Sequence, residues 1–329
     1  MSILDKIRKN STIKEADLLI DSEVFNKKDL TSTKIPMLNV ALSGFLDGGL
    51  YSGITTVAGA SKHFKTGFCL VLVDAYLRKN PDAACLYYDS EFGSPPEYWE
   101  SFVGENMKRV FHTPITDVEK LKFDIVSQLE GIERGDKVII IVDSLGMLAS
   151  KKEAEDAVEQ KSVADMSRAK AITSFYRIIT PHIKMKDIPA VIIGHTYKET
   201  GLYPKEILGG GDKAYLASDA VWFIGRQQDK DTEGLHGYNF IIKVDKSRYV
   251  KEGSKIPINV GFDYGINIYS GLLEMALETG FVTKPSNGWY QKKDDTKKVR
   301  EDNTNTAEFW DSLLKDKNFQ EAVNKIYKL

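Results

Sequence analysis

Lys65 and Thr66 close a turn, Gly59-Ala60-Ser61-Lys62-His63-Phe64-Lys65-Thr66, that follows a β-branched run, Ile54-Thr55-Thr56-Val57, and precedes an expected helix, Phe68 to Leu77. A strand, a glycine turn, Lys-Thr and a helix are the layout of a phosphate-binding loop. Backbone N–H groups at the turn and at the helix start would face phosphate oxygens. Lys65 would reach the β- and γ-phosphates, and the Thr66 hydroxyl would sit on Mg²⁺. The usual pattern carries a second glycine where this chain has Phe64. A phenylalanine fits there if its backbone is helical.

Three more polar residues end apolar runs. Ala83 to Tyr88 leads through Asp89-Ser90 to Glu91, Lys137 to Val142 leads to Asp143, and Ala190 to Gly194 leads to His195. The continuous run before Asp143 predicts a strand buried on both faces, as in a parallel sheet. Such sheets gather ligand groups at the carboxyl ends of their strands. There Asp143 would hold Mg²⁺ through water and Glu91 would take a proton from an attacking water. His195 would donate to the γ-phosphate and respond to its loss. Singly, Asp143 reads equally as a helix cap, Glu91 as an exposed turn acid and His195 as a satisfied strand-end histidine. The four features in this order point to nucleoside triphosphate hydrolysis.

The remaining elements must position these groups. Residues 1–33 predict a short helix, then an extended piece around Glu23-Val24-Phe25, with too little apolar surface to fold alone. Ile35, Leu38, Leu42 and Leu46 recur at helical spacing until Gly48-Gly49. Pro95-Pro96 opens a helix containing Tyr98 and Trp99. A strand at Val110 to His112 and helices over 118–132 and 164–179 follow. The charged stretch 150–164 reads as a solvated helix face or a mobile loop. Residues 196–211 read as a long polar loop ending in Gly209-Gly210-Gly211, of the kind that carries function. Ala220 to Gly225, Tyr238 to Val244 and Ile256 to Val260 read as antiparallel strands. Beyond them comes a small α+β unit with a helix over 271–279, a hairpin at Gly288-Trp289-Tyr290 and a final helix over 306–327.

Composition narrows the alternatives. The formal net charge is −2, so any nucleic-acid site is local or shared between subunits. The histidines lack metal-ligand spacing. Cys69 and Cys85 lie in apolar surroundings and suggest a reducing compartment. No apolar run reaches the ~18 residues of a membrane span, and the charged N-terminus has no secretory pattern. A cytoplasmic location is expected, that of the bacterial host if the protein is phage-encoded.

The chain resembles a RecA-type recombinase, most closely the UvsX branch found in tailed phages. The carrying stretches are Lys34 to Met37 with Leu42-Ser43-Gly44, Gly59 to Thr66, Tyr88 to Gly93, Val142 to Gly146, His195-Thr196-Tyr197, Gly209 to Gly211, Lys246-Ser247-Arg248 and Asn287 to Tyr290. They span about residues 33 to 329, and Phe64 matches that branch. The resemblance implies an α/β fold: residues 1–33 as a helix and polymerisation strand, 34–263 as a RecA-like ATPase core with a mostly parallel sheet, and 264–329 as a small C-terminal α+β domain. It implies ATP and Mg²⁺ as cofactors, with Gly59 to Thr66, Tyr98 and Asp143 on the nucleotide and Tyr98 stacked on adenine. Residues 150–164 and 196–211 fall at two DNA-binding loops, the second carrying Tyr197 and Lys198. Arg168, Lys170, Thr173, Arg177, Gly210 and Gly211 fall at DNA contacts. Lys246, with Arg248, falls where a neighbouring subunit's cation reaches the γ-phosphate. His195 stands where bacterial relatives carry glutamine, which could add pH dependence near neutrality. Pro95 stands where relatives often offer adenine an acid.

The implied activity is DNA-dependent ATP hydrolysis in a helical filament on single-stranded DNA, with homologous pairing and strand exchange. Partners would be single-stranded DNA, homologous duplex DNA, further copies of the chain, and a single-strand-binding protein with a loader or mediator. A ring-forming motor of the same superfamily and a non-hydrolysing mediator remain as alternatives.

Overall fold

The computed structural model describes residues 2–25, 29–160, 166–199 and 206–329. Residues 161–164 of the first expected DNA loop, residue 165 after it, and the tip of the second loop, 200–205, lie outside the described residues.

Two-sided apolar strands build the centre. β1 (Gly53–Ala58), β2 (Ala84–Asp89), β4 (Val138–Asp143) and β5 (Pro189–Gly194) are almost wholly buried. Along β4, Ile139 and Ile141 face one core while Val138, Ile140 and Val142 face the other. This period of two across a covered sheet produces the unbroken apolar run in the sequence. With β3 (Val110–Pro114), β8 (Ala220–Lys230), β9 (Leu235–Lys246), β10 (Lys255–Gly261) and β11 (Gly265–Ile266), they form one nine-stranded sheet. Its order is β11-β10-β9-β8-β1-β5-β4-β2-β3. The strands from β3 to β8 pair in parallel, and β8 to β11 pair antiparallel. The mostly parallel α/β reading therefore holds, and β8 is the seam between the two halves.

Helices cover both faces. α2 (Pro36–Ser43) and α3 (Lys65–Lys79) join the first core, while α5 (Val118–Gly131) and α7 (Ser167–Lys186) pack into the second. α4 (Pro96–Val103) seats Trp99 against the first core. α2 ends earlier than its apolar spacing implies, because Gly44 turns left-handed at φ 80°. That conformation suits glycine and closes the last turn, with the Gly44 N–H on the Val40 carbonyl.

The C-terminal elements α9 (Leu272–Glu278), β12 (Val282–Ser286), β13 (Trp289–Lys292) and β14 (Lys298–Arg300) lead into α10 (Ala307–Lys315) and α11 (Lys317–Tyr327). The expected single final helix is thus two. Asp316 is extended, and its carboxylate accepts the Asn318 N–H at 2.8 Å, so it starts a new helix instead of continuing the old one. Trp310 and Phe319 bury into the same core as α2 and β9.

The N-terminal expectation needs correction at its second element. α1 (Ile3–Asn10) forms, capped by Ser2, but Glu23–Phe25 is a 3₁₀ turn and not an extended strand. The Phe25 N–H bonds the Ser22 carbonyl. Among the described residues no strand pairs with this turn, and its Glu23 carbonyl accepts a hydrogen bond from the distant Arg134. Ile3, Leu4, Ile7 and Phe25 remain exposed.

The charged stretch takes the helix-face reading of its two alternatives, and the long polar loop differs from expectation. Residues 151–158 form α6 (Lys151–Val158), with no buried residue and a Ser150–Glu153 capping box. The long polar loop contains a hairpin of β6 (Thr196–Lys198) and β7 (Glu206–Leu208), followed by α8 (Asp212–Ala217).

Candidate nucleotide-binding and DNA-binding site

Register brings the chemical groups together. Ala58 pairs with Gly194, and Asp89 pairs with Asp143, so the carboxyl ends of β1, β5, β2 and β4 share one edge. A cleft of about 300 Å³ opens there, lined by Ser61 to Gly67, Glu91, Tyr98, Asp143 and His195. The groups read as one constellation are therefore neighbours.

The turn at residues 59–66 wraps the start of α3. Gly59 lies tight against β8, where an added Cβ would come 3.0 Å from the Ile224 carbonyl oxygen. The Lys65 ammonium rests on the Ala60 carbonyl at 2.8 Å, and burial pulls its pKa down against the opposing charges of Glu91 and Asp143. An arriving phosphate would offer that ammonium a stronger partner. His63 Nδ1 lies 2.9 Å from the Ser61 carbonyl. Lys62 and Phe64 both have positive φ, at 61° and 57°. Phe64 is thus left-handed, which corrects the expectation of helical angles. The glycine of the usual pattern serves that conformation without a Cβ penalty. Here the ring stacks on Phe240 at 5.2 Å and meets Phe68 edge-on at 5.4 Å.

Asp143 is the metal candidate. Its Oδ2 accepts the Thr66 hydroxyl at 2.7 Å, while Oδ1 is buried with no hydrogen-bond partner. Burial raises its pKa to about 6, against the pull of the Thr66 hydroxyl. An orphaned carboxylate oxygen beside a hydroxyl fits Mg²⁺ completed by phosphate oxygens and water. Among the described residues no group of three or more His, Cys, Asp and Glu side chains could hold a metal alone.

That raised pKa carries a pH signature. The folded chain keeps a proton that the unfolded chain, with its ordinary value of 3.8, has released. Stability from this group therefore falls as pH rises from about 4 to about 6, by about 3 kcal/mol at 1.36 kcal/mol per unit. Asp143→Asn has no such titration. In urea unfolding series, the difference in stability should move in the variant's favour over that window and level off above it. A gap that stays constant with pH would contradict the assignment.

Glu91 is placed by its neighbours. The buried Asp89 carboxylate accepts the N–H groups of Glu91 at 3.0 Å and Phe92 at 2.8 Å, forming a turn that aims Glu91 into the cleft. Glu91 Oε1 lies 2.5 Å from Ser144 Oγ and 2.9 Å from His195 Nε2. His195 chiefly, then Ser144, hold the Glu91 pKa down to about 2 despite partial burial. His195 is also 3.2 Å from Ser144 Oγ, and its carbonyl accepts the Gly209 N–H at 2.7 Å. The hairpin β6–β7 thus joins the cleft through one residue.

Sequence reasoning assigned no role to Ser144, although it adjoins Asp143 in the chain. It also passed over Arg226, whose guanidinium donates to the Lys62 carbonyl at 3.2 Å and covers the Tyr238 ring. No motif marks a lone arginine on a strand.

Other expected residues lie elsewhere. Lys246 donates to the carbonyls of Tyr215 at 2.7 Å and Leu216 at 3.1 Å, at the end of α8. Arg248 pairs with the buried Asp219, which also holds Lys184 and the Ile54 N–H. Both cations sit near the start of β8, away from the edge that carries Lys65. Arg168 spans the carbonyls of Leu148 and Gly146, each at 2.7 Å. Its Nε and Nη2 are thereby committed to the backbone after β4. Lys170 and Arg177 are exposed on α7, with Thr173 half-buried between them. Tyr197 and Lys198 are exposed on β6, and Gly210 and Gly211 have φ of 105° and 78°.

A family model described as bacteriophage T4, recombination and repair protein, C-terminal domain, matches residues 269–323. The chain is 48% identical to the recombination and repair protein of Enterobacteria phage T4, over 98% of this chain and 85% of that protein. It is 24% identical to protein RecA of Cereibacter sphaeroides, over 81% of this chain and 76% of that one. With protein RecA of Streptomyces venezuelae it shares 23% identity over 88% and 76%. Full-length similarity at this level, on a RecA-like sheet with the phosphate loop at its carboxyl edge, makes this chain a member of the family of the T4 recombination and repair protein, the UvsX branch of the RecA group.

Proposed function

We propose that this chain is an ATP-dependent DNA recombinase that assembles on single-stranded DNA and exchanges it with a homologous duplex. One observation carries the reading: Lys65, Thr66, Asp143, Glu91 and His195 meet in one cleft of a chain belonging to a recombination family. The turn 59–66 binds the triphosphate with its backbone N–H groups, and Lys65 leaves the Ala60 carbonyl for phosphate oxygens. Thr66 and Asp143 hold Mg²⁺, which when bound neutralises phosphate charge. Glu91, ionised and fixed by Ser144 and His195, orients the attacking water. Tyr98, half-buried beside the cleft, takes the base.

Assembly follows from what one chain leaves undone. Residues 1–33 expose Ile3, Leu4, Ile7 and Phe25 and suit docking on a neighbour. Lys246 and Arg248 lie off their own nucleotide cleft, so their use on a phosphate requires a neighbour's cleft. Head-to-tail contacts of that kind build an open helix. The core, 34–263, then carries nucleotide and DNA, and 264–329 forms a C-terminal unit. Lys170, Thr173, Arg177, Tyr197, Lys198, Gly210 and Gly211 offer cations, hydroxyls and backbone N–H groups to a DNA backbone, which suits binding of any sequence.

The test is strand exchange with homologous and heterologous duplexes, with and without ATP. Joint molecules should form only with the homologous duplex and ATP, on filaments visible by microscopy. Closed rings, or equal yields from both duplexes, would overturn the reading.

A further inference from the structure

Phe64 fills a position where the usual loop has glycine, and its ring is not idle. It stacks on Phe240 at 5.2 Å with an interplanar angle of 23°. Its centroid also lies 6.2 Å from that of Phe102 of α4, the rings tilted at 47°. Phe102 in turn meets Tyr98 edge-on, 5.2 Å between centroids. A continuous aromatic string therefore runs from β9, past the phosphate loop, to the residue placed at the base. Gly67 makes room for it, since a Cβ there would lie 2.5 Å from the Phe64 ring.

We propose that Phe64 and Phe102 are positioning residues that couple the phosphate loop to Tyr98, so that seating the triphosphate orders the base site. Resting on the nucleotide reading above, this adds a role for two aromatic rings, as distinct from the backbone N–H groups of the loop that grip phosphate. The physical basis is packing. Phe64 cannot swing without opening its stack on Phe240, and Tyr98 cannot tilt without losing Phe102. A left-handed Phe64 backbone fixes where the ring leaves the loop.

The experiment separates base from phosphate. Phe102→Leu keeps apolar volume but removes both ring contacts. ATP KM and kcat are measured with magnesium present, together with the inhibition constant of inorganic tripolyphosphate, which has no base. The variant should raise the ATP KM roughly three- to tenfold, the scale of one or two aromatic contacts. The tripolyphosphate constant should stay within about twofold and kcat should hardly move. Tyr98→Leu should give the same pattern, and the double variant should add little to either alone. Should Phe102→Leu prove unstable by thermal unfolding, Phe102→Met carries the same comparison. Equal losses for ATP and tripolyphosphate, an unchanged KM, or fully additive effects would overturn the coupling. A wild-type protein that neither binds nor hydrolyses ATP would instead overturn the nucleotide reading itself.

Discussion

Glu91→Gln is expected to lower ATP turnover by roughly 10²- to 10⁴-fold, the range for losing a positioned acid–base group. ATP-dependent binding to single-stranded DNA should persist. The site explains both halves. Glu91 touches neither Lys65 nor Thr66 in the hydrogen-bond network, so the phosphate grip survives its change. Its carboxylate is anchored by Ser144 Oγ and His195 Nε2. Both anchors fall on Oε1, which glutamine retains, but its amide in place of Oε2 cannot accept from the water and carries no charge to draw on the water's protons. With its pKa near 2, Glu91 is ionised at every working pH, so it contributes no acidic limb to kcat. That same low value makes it a weak proton acceptor early in the reaction. On the proposed role, orienting the water is the larger part expected of it, since the water becomes acidic only as bonding to phosphorus develops. Single-turnover hydrolysis and filter binding on one preparation decide the matter. Turnover that survives Glu91→Gln returns the residue to an exposed turn acid. Loss of DNA binding along with turnover would mean that the substitution had broken the cleft.

Much of this site was legible because parallel strands announce themselves. A strand covered on both faces must be apolar along its whole length, so the polar residue after it marks the edge. Glu91, Asp143 and His195 were found that way, and register then brought them together. Backbone hand was not legible. Position 64 needs a left-handed residue, and a phenylalanine code says nothing about φ until its ring contacts are known. Partners distant in sequence were equally hidden. Arg168, expected at a DNA contact, donates to carbonyls twenty and more residues away that no sequence pattern marks. Asp219 draws in Lys184 and Arg248 for the same reason. Among the described residues Glu23–Phe25 pairs with no strand of its own chain, and sequence alone does not show that it turns instead. The break at Asp316 could have been anticipated, since Asp caps helices better than it continues them.

Gly67→Ala should damage the nucleotide site more than a single methyl group suggests, and Phe64→Gly should restore the stability it costs. A helical glycine is normally improved by alanine, by about 1 kcal/mol. Here the new Cβ would stand 2.5 Å from the Phe64 ring. The ring cannot yield cheaply, held between Phe240 and the edge of Phe68. Overpacking of this sort costs about 1–3 kcal/mol, and the strain falls on the loop that must hold phosphate. We expect a lower thermal midpoint and a rise in ATP KM of at least tenfold. Phe64→Gly alone relieves a left-handed side chain, about 1–2 kcal/mol, but empties the half-buried space above α3. Its net stability change should be small. With glycine at 64 the clash is gone, so Gly67→Ala becomes neutral or stabilising. The two changes should thus be coupled by about 1–3 kcal/mol in the favourable sense, read as urea-unfolding free energies across the four proteins. Strict additivity would show that Gly67 does not make room for the ring, and that the glycine missing from position 64 has no counterpart one turn later.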